Sequence, residues 1–436
     1  MLRFAPSPIG DMHIADLRVA LVNYIVAKQR NERFVIRIED RDESSTIEGK
    51  DTEIMQILEK FALIHDSVFH QSEHLHMHQT LAIKLLEQGK AFVCTCTSEE
   101  LKAKKEEAKK NKVCYPYSEH CNSLDAVDHK KLKKLGTPFV IRIKKPNKDI
   151  MHHDFIEGTM TTNPNEVDSF VILEVDGTPT YDFACACDDM LSGFDSIIRC
   201  QTYLSNTPKQ EYIKMQLGYT ETTTYMHLPF IVNSEGKNIS EYDGTSSLKC
   251  LFEQGFIPDA ILNYLLLIDS PNEKKEIFTL PEAIKGFKIE NISKSSIIFD
   301  IDKLRFINAK HLERMDEKKL SSFFGFADEK IGKLAKLYLE EASTIKELKE
   351  KIKSIFSSKD FKSEYGKEMH ILGDIVQNAE MIDDFSTFKS YLIKESGLNE
   401  IDIDKPLRLL LTGAHTGPNL SEIYPLIKSY LLEVAS

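Results

Sequence analysis

The run Arg3-Phe-Ala-Pro-Ser-Pro-Ile-Gly-Asp-Met-His13-Ile-Ala15-Asp16 sets how this chain opens. Residues 2 to 5 read as a short strand and Gly10 to Met12 as a turn. Ile14 to Lys28 reads as a helix with Leu17, Leu21, Tyr24 and Ile25 on one face. Phe34-Val-Ile-Arg-Ile38 follows as a second strand. Strand, turn, helix and strand make a βαβ unit of Rossmann type, with His13 at the strand-to-helix turn where such folds hold phosphate.

Working outward, helices are expected over Thr52 to Phe61 and His76 to Gln88. From Ala91 to Asn165 the texture changes to paired cysteines, a lysine-rich helix and short strands such as 137–143, which reads as an insertion. Val167 to Gln210 returns to buried strand and turn, with a strand over Ser169 to Val175 and a hairpin connection at Gly177-Thr-Pro-Thr180. After Gly244 the pattern is helical, beginning with Leu248 to Phe252 and Asp259 to Ile268, and Ser357-Ser-Lys-Asp360 reads as a connection between helices. The expected class is α/β, followed by an all-α region. The expected partition is 1–90 and 166–243 as two Rossmann halves, 91–165 as the insertion, and 244–310 and 311–436 as helical parts.

A chain of 436 residues is too long for one core, and 42% hydrophobic with 28% charged residues is an ordinary globular balance. No apolar run approaches the ~18 residues of a membrane span. The start reads as an ordered turn rather than a targeting segment, so cytoplasm is the expected compartment. A net charge of -12 argues against indiscriminate polyanion binding, although basic stretches stand at 102–112, 129–134 and 144–145. The eight cysteines cluster as Cys94/Cys96/Cys114/Cys121 and Cys185/Cys187/Cys200 with Cys250 apart, which suggests metal or burial rather than a disulfide framework.

The opening run resembles the His-Ile-Gly-His signature of class I aminoacyl-tRNA synthetases, in the Pro-Ser-Pro-x-Gly-x-x-His form of glutamyl and glutaminyl enzymes, with Pro6, Gly10 and His13 in register. The resemblance implies that His13 donates to the nucleotide phosphates during adenylate formation. It implies that Arg3 takes the glutamate side-chain carboxylate and that Ser7 and Glu39 take the α-amino end. Residues 179–199 are similar to the family's second substrate wall, where Tyr181 matches and Arg199 would fork onto the α-carboxylate. Cys185 and Cys187 resemble the version in a second type of bacterial glutamyl-tRNA synthetase that charges glutamine tRNA with glutamate, and they read as buried thiols.

Four departures fall on ATP-facing elements. Ala15 and Asp16 stand where the family has small residues against adenine and triphosphate, and Cys200-Gln201-Thr202 lacks an expected acidic residue. The late motif, Gly-Lys-Lys-Leu-Ser-Lys-Arg in the family, is here Gly236-Lys237-Asn238-Ile239-Ser240-Glu241-Tyr242. Ile239 and Ser240 match, Glu241 reverses a charge, and Lys237 would have to supply the cation after reshaping. A unit charge ~5 Å from phosphate at an effective dielectric of ~20 is worth about 3 kcal/mol, and the reversal about twice that. Glutamate-dependent ATP-pyrophosphate exchange is therefore expected to be strongly reduced relative to an intact family member.

In the insertion, Cys94-Thr-Cys96 and Tyr117-Ser-Glu-His120-Cys121 resemble the Cys-x-Cys, Tyr-x-x-x-Cys zinc site of some glutamyl-tRNA synthetases and of glutamyl-queuosine tRNA synthetases. Cys94, Cys96, Tyr117 and Cys121 are the expected ligands of a structural zinc, with His120 or Cys114 as substitutes for the tyrosine and reduced, metal-free cysteines as the alternative.

The resemblance spans nearly the whole chain. It implies activation of L-glutamate by ATP with Mg2+, then transfer to the 3′ end of tRNA(Glu) or tRNA(Gln), by a monomer without membrane contact. The insertion would meet the acceptor end, 244–310 the stem and 311–436 the anticodon. A catalytically impaired tRNA-binding paralogue is the main alternative. A glutamyl-queuosine enzyme would lack the helical C-terminal region, and a glutaminyl enzyme would carry a β-barrel there.

Overall fold

The structure is a computed structural model that describes residues 1–110, 121–239, 246–269, 275–362 and 364–436. It separates into two compact units. One contains Met1–Leu248 and Leu280–Phe299 together with the stretch around Asp269, and the other contains Lys249–Tyr264 and Asp300–Ser436.

In the first unit, β1 (Leu2–Phe4), α1 (Ile14–Arg30) and β2 (Phe34–Ile38) form the expected βαβ unit. The strands β1, β2 and β3 (Ser67–His70) pair in parallel in that order. Every residue of β1 and β2 is buried, as strands covered on both faces require. Helix α1 buries far more than one stripe, from Ala20 through Ala27 without a break. It lies against β1, β2, the strand β9 (Ser196–Cys200) and the helix Leu280–Gly286, so it is enclosed on several sides. Arg18 on this helix is buried and forks onto Asp269, with Nη1 donating to the Pro229 carbonyl at 2.5 Å. A buried guanidinium needs such a partner.

A second sheet has the order β7-β6-β10-β9. Here β10 (Thr224–Leu228) runs parallel to both β6 (Ile150–Asp154) and β9, and β7 (Gly158–Thr162) closes the edge antiparallel to β6. β1 lies beside β9, and Asn23 of α1 donates to the Ile198 carbonyl at 3.0 Å, so the two sheets flank one helix. A third, antiparallel sheet joins β4 (Ala91–Cys94), β5 (Val140–Ile143) and β8 (Val171–Leu173). The strands of the 91–165 stretch thus divide between two sheets: β4 and β5 pair with β8, whereas β6 and β7 extend the sheet of β9 and β10.

The Gly177 turn is present, with Gly177 at φ +86° and its N–H bonded to the Glu174 carbonyl. Beyond it the chain enters α6 (Tyr181–Ser192) rather than another strand. Seven consecutive residues of α6, Phe183 to Asp189, are buried, and this hides the 3.6-residue period that marks a helix in sequence. After β9 the chain turns into α7 (Thr207–Leu217), which packs on α6.

The second unit is helical among its described residues, with Ile301–Arg314, Ile345–Phe356, Gly366–Asn378, Phe385–Ser396, Glu400–Thr412 and Leu420–Ile427 among its helices. The Ser357 to Asp360 stretch connects two of them. Lys359 there folds back and donates to the carbonyls of Ser354, Ile355 and Ser357, closing the C-terminal end of the preceding helix. Burial pushes its ammonium down to about 8.

Candidate active site and cysteine cluster

The strand ends and helix N-termini of the first unit enclose a cavity of about 360 Å³, lined among others by Arg3, Ser7, His13, Glu39, Tyr181 and Arg199. Pro6, Gly10 and Asp16 also line it. The residues expected to hold glutamate and the first motif histidine therefore meet in one place, although they come from β1, β2, α6, β9 and the turn before α1.

One wall is a network of buried charges. Arg3 lies on β1 and forks onto Asp189 of α6, with Nε to Oδ1 at 3.0 Å and Nη2 to Oδ2 at 3.2 Å. Its Nη1 has no protein partner among the described residues. Arg37 on β2 joins the same carboxylate at 2.6 Å and reaches Glu39 Oε1 at 2.9 Å. Arg37 and Glu39 share a strand face, as alternation requires. Burial alone would raise the Asp189 carboxyl, but the Arg3 and Arg37 guanidiniums outweigh it and hold it well below the usual carboxylate range. Glu39 also accepts from Ser7 Oγ at 3.4 Å and from the Cys185 thiol at 3.3 Å. Burial, reinforced by Glu39, pushes that thiol well up, so Cys185 is a neutral donor. Cys185 and Cys187 are fully buried.

The opposite wall is built differently. Arg199 on β9 is 5% exposed and donates to His227 Nε2 at 3.0 Å, Gln210 Oε1 at 2.7 Å, Thr207 Oγ1 at 2.8 Å and the Tyr203 carbonyl at 3.2 Å. None of these acceptors is a carboxylate. Its planar head lies 5.8 Å from the ring centre of Tyr203 and 5.4 Å from that of Tyr225. Tyr181 stacks on Tyr203 at 5.4 Å, and burial, with Cys185 and Glu39 adding to it, raises its phenol far above the ordinary value. It remains a hydroxyl donor at any working pH.

His13 is the N-cap of α1, and its backbone N–H is bonded to Asp16 Oδ2 at 3.0 Å. Asp16 is thus the N3 carboxylate of a capping arrangement, favoured by the helix dipole, as well as a cavity-lining anion. Ala15 lies in the first turn and is not among the lining residues. Ser246 Oγ donates to the Ile239 carbonyl at 3.3 Å and stands 3.3 Å from His13 Nδ1. Nδ1 thus faces the Ser246 hydroxyl, and Nε2 is left for a ligand. Ser247 bridges His13, and Leu248 N–H bonds to the Met12 carbonyl. Ile239 is buried, whereas Ser240, Glu241 and Tyr242 lie outside the described residues.

Lys237 is not brought to this cavity. Its exposed ammonium pairs with Glu235 at 2.8 Å on the preceding turn. Cys200 lines the cavity, but Gln201 and Thr202 line a neighbouring one of about 940 Å³ together with Gly236 and Asn238. Sequence reading missed Asp189, Asp154, His227 and Tyr203. Two buried arginines beside an Asp188-Asp189 pair were the available signal for the first of these.

In the insertion, the sulfurs of Cys94, Cys96 and Cys121 lie within 4.8 Å of one another, with Cys96 and Cys121 3.7 Å apart. A tetrahedral centre with Zn–S of ~2.3 Å separates its sulfurs by about 3.8 Å, so the three thiols fit that ion. Phe92, Leu101, Leu124 and Val140 pack around them. Tyr117, His120 and Cys114 lie outside the described residues.

Residues 1–306 match the family of class I tRNA synthetases (E and Q), catalytic domain. The chain is 57% identical to glutamate–tRNA ligase 2 of a Sulfurovum species and 51% identical to glutamate–tRNA ligase 1 of a Nitratiruptor species, in both cases across 100% of each chain. A crystal structure of a glutamate tRNA ligase from Elizabethkingia meningosepticum, in complex with its amino acid, superposes with a TM-score of 0.81 at 26% identity, covering 99% of this chain and 97% of that one. These matches include the helical C-terminal region whose presence spoke against a glutamyl-queuosine enzyme. With residues 1–306 matched to that family and relatives at 57% and 51% identity over their full length, the chain belongs to the glutamate–tRNA ligases of the class I tRNA synthetases.

Proposed function

We propose that this cavity activates L-glutamate, with Arg3 holding the side-chain carboxylate, Ser7 and Glu39 the α-amino group, and Tyr181 and Arg199 the α-carboxylate end. The observation that carries the proposal is the convergence of these residues with His13 on one cavity. In the first step a glutamate α-carboxylate oxygen attacks the α-phosphorus of ATP, and the bond to the bridging oxygen breaks to release pyrophosphate. ATP enters with Mg2+. His13 Nε2 donates to the phosphates as charge gathers there, and Ser240 belongs to the loop that follows Ile239. In the second step a ribose hydroxyl at the tRNA 3′ end attacks the acyl carbon and AMP leaves. Residues 91–165 would meet the acceptor end, 244–310 the stem and 311–436 the anticodon of tRNA(Glu), tRNA(Gln) or both, in a cytoplasmic monomer.

Cys94, Cys96 and Cys121 would hold a structural zinc with Tyr117 as the fourth ligand, tying the end of β4 to the segment after residue 120. Such an ion would supply folding energy and no chemistry.

The test is charging of purified glutamate and glutamine tRNAs with labelled glutamate, run beside filter binding. Stable glutamyl-tRNA formed on at least one of them supports the proposal. Tight tRNA binding with no charging on either would select the impaired paralogue that Asp16 and Glu241 suggest.

A further inference from the structure

Arg199 is a buried cation held by four neutral acceptors, and one of those acceptors leads further into the protein. Arginine has no acceptor atom, so its Nε–H donates to His227 Nε2, which must then be the bare nitrogen of a neutral imidazole. The single ring proton therefore sits on Nδ1, 2.6 Å from Asp154 Oδ2. Asp154 is fixed in turn by the backbone N–H groups of Ile156 at 2.8 Å, Glu157 at 2.9 Å and His227 at 3.1 Å. Asp154 is 0% and His227 1% exposed. Burial holds the ring below its ordinary pKa, with the Asp154 hydrogen bond opposing, in keeping with the neutral form.

We propose that His227 and Asp154 are positioning residues for Arg199, a relay that sets the imidazole proton on Nδ1 so that Nε2 aims the guanidinium at the substrate carboxylate without cancelling its charge. A carboxylate in direct contact, as Asp189 is with Arg3, would compete with the substrate. A neutral ring orients the cation and leaves its charge for the ligand, while the negative charge stays one residue further back. The same logic governs a buried aspartate that fixes a histidine tautomer.

The inference rests on reading Arg199 as a glutamate ligand, and its test separates the two. Asp154→Asn keeps the shape but lets the amide donate to Nδ1, which moves the ring proton to Nε2 and sets two donors face to face. His227→Phe deletes the acceptor outright. In tRNA charging both variants should raise the KM for glutamate about tenfold or more, with kcat within about threefold and the KM for ATP unchanged, because uniform substrate binding is what is lost. A purely structural role would shift thermal stability and both KM values together. Arg199→Gln must show the glutamate effect as well. If it does and the other two do not, the relay is wrong; if Arg199→Gln leaves glutamate KM unchanged, the assignment of Arg199 fails and the relay with it. Should both relay variants fail to fold, the nitrogen-15 spectrum of the parent's histidines decides, since a His227 proton found on Nε2 overturns the proposal.

Discussion

The two arginines of the cavity are equally deep and oppositely supported. Arg3 shares Asp189 with Arg37 in a network of like-numbered charges, whereas Arg199 rests on an imidazole, an amide, a hydroxyl and a carbonyl. The first arrangement fixes geometry at the expense of net charge, and the second keeps the charge while fixing geometry through neutral groups. A dicarboxylic ligand seated as proposed would meet both: a neutralised, rigid fork at one end and an uncompensated cation at the other.

The largest test of that contrast is Asp189→Asn. Among the described residues it leaves Arg37 with Glu39 as its carboxylate contact and Arg3 with none, and breaking a buried pair from one side costs about 3–5 kcal/mol, so the urea midpoint should fall steeply. No comparable loss would mean that Arg3 is not held by charge. Next in size, Arg3→Gln removes the free Nη1 end facing the cavity, and glutamate KM should rise about a hundredfold with ATP KM little changed, checked by charging kinetics.

Acid sharpens the same comparison. Asp189 has a folded-state pKa below its unfolded value, so its contribution is present above the ordinary carboxylate range and is lost as pH falls towards the folded value. In that window the unfolded chain takes up a proton that the folded chain refuses. The parent should therefore lose urea resistance between pH 5 and pH 3, and Asp189→Asn should lose less, with Asp154 and Asp188 supplying the remaining slope in the same direction. Equal slopes would remove Asp189 from the account. Smaller again, Cys185→Ala deletes one weak donor to Glu39 and should raise glutamate KM a few-fold, of order 1 kcal/mol, while Cys185→Ser should restore it. Smallest is Asp16→Asn, which keeps an acceptor for the His13 N–H but removes the anion. ATP KM should drop about two- to fivefold, and an increase would show that the carboxylate helps the nucleotide.

The opening strand, helix and strand were legible because the short apolar run Phe34–Ile38 and the Pro/Gly turn before Ile14 are local signals. Helix α6 was not, because unbroken burial from Phe183 to Asp189 carries no period. The strands Ile150–Asp154 and Gly158–Thr162 were missed because the first buries His152 and Asp154 while exposing Met151, so no apolar alternation shows, and the second buries no residue fully. Of the site, the residues that line the cavity were named through the family frame. Those standing behind them, Asp189 for Arg3 and His227 with Asp154 for Arg199, are set by contacts between elements distant in sequence. Asp16 shows the opposite case: its charge was visible, but its bond to the His13 amide, which gives it a local task, was not.

The division of the 91–165 stretch between two sheets bears on how such a chain can be cut and recombined. A graft or deletion that treats the stretch as a cassette would remove β6 and β7 from the sheet that carries Arg199 and His227, and would take Asp154 with them. An exchange that spares this sheet has to end before Ile150, so the cysteine cluster can be swapped as a piece but β6 and β7 cannot.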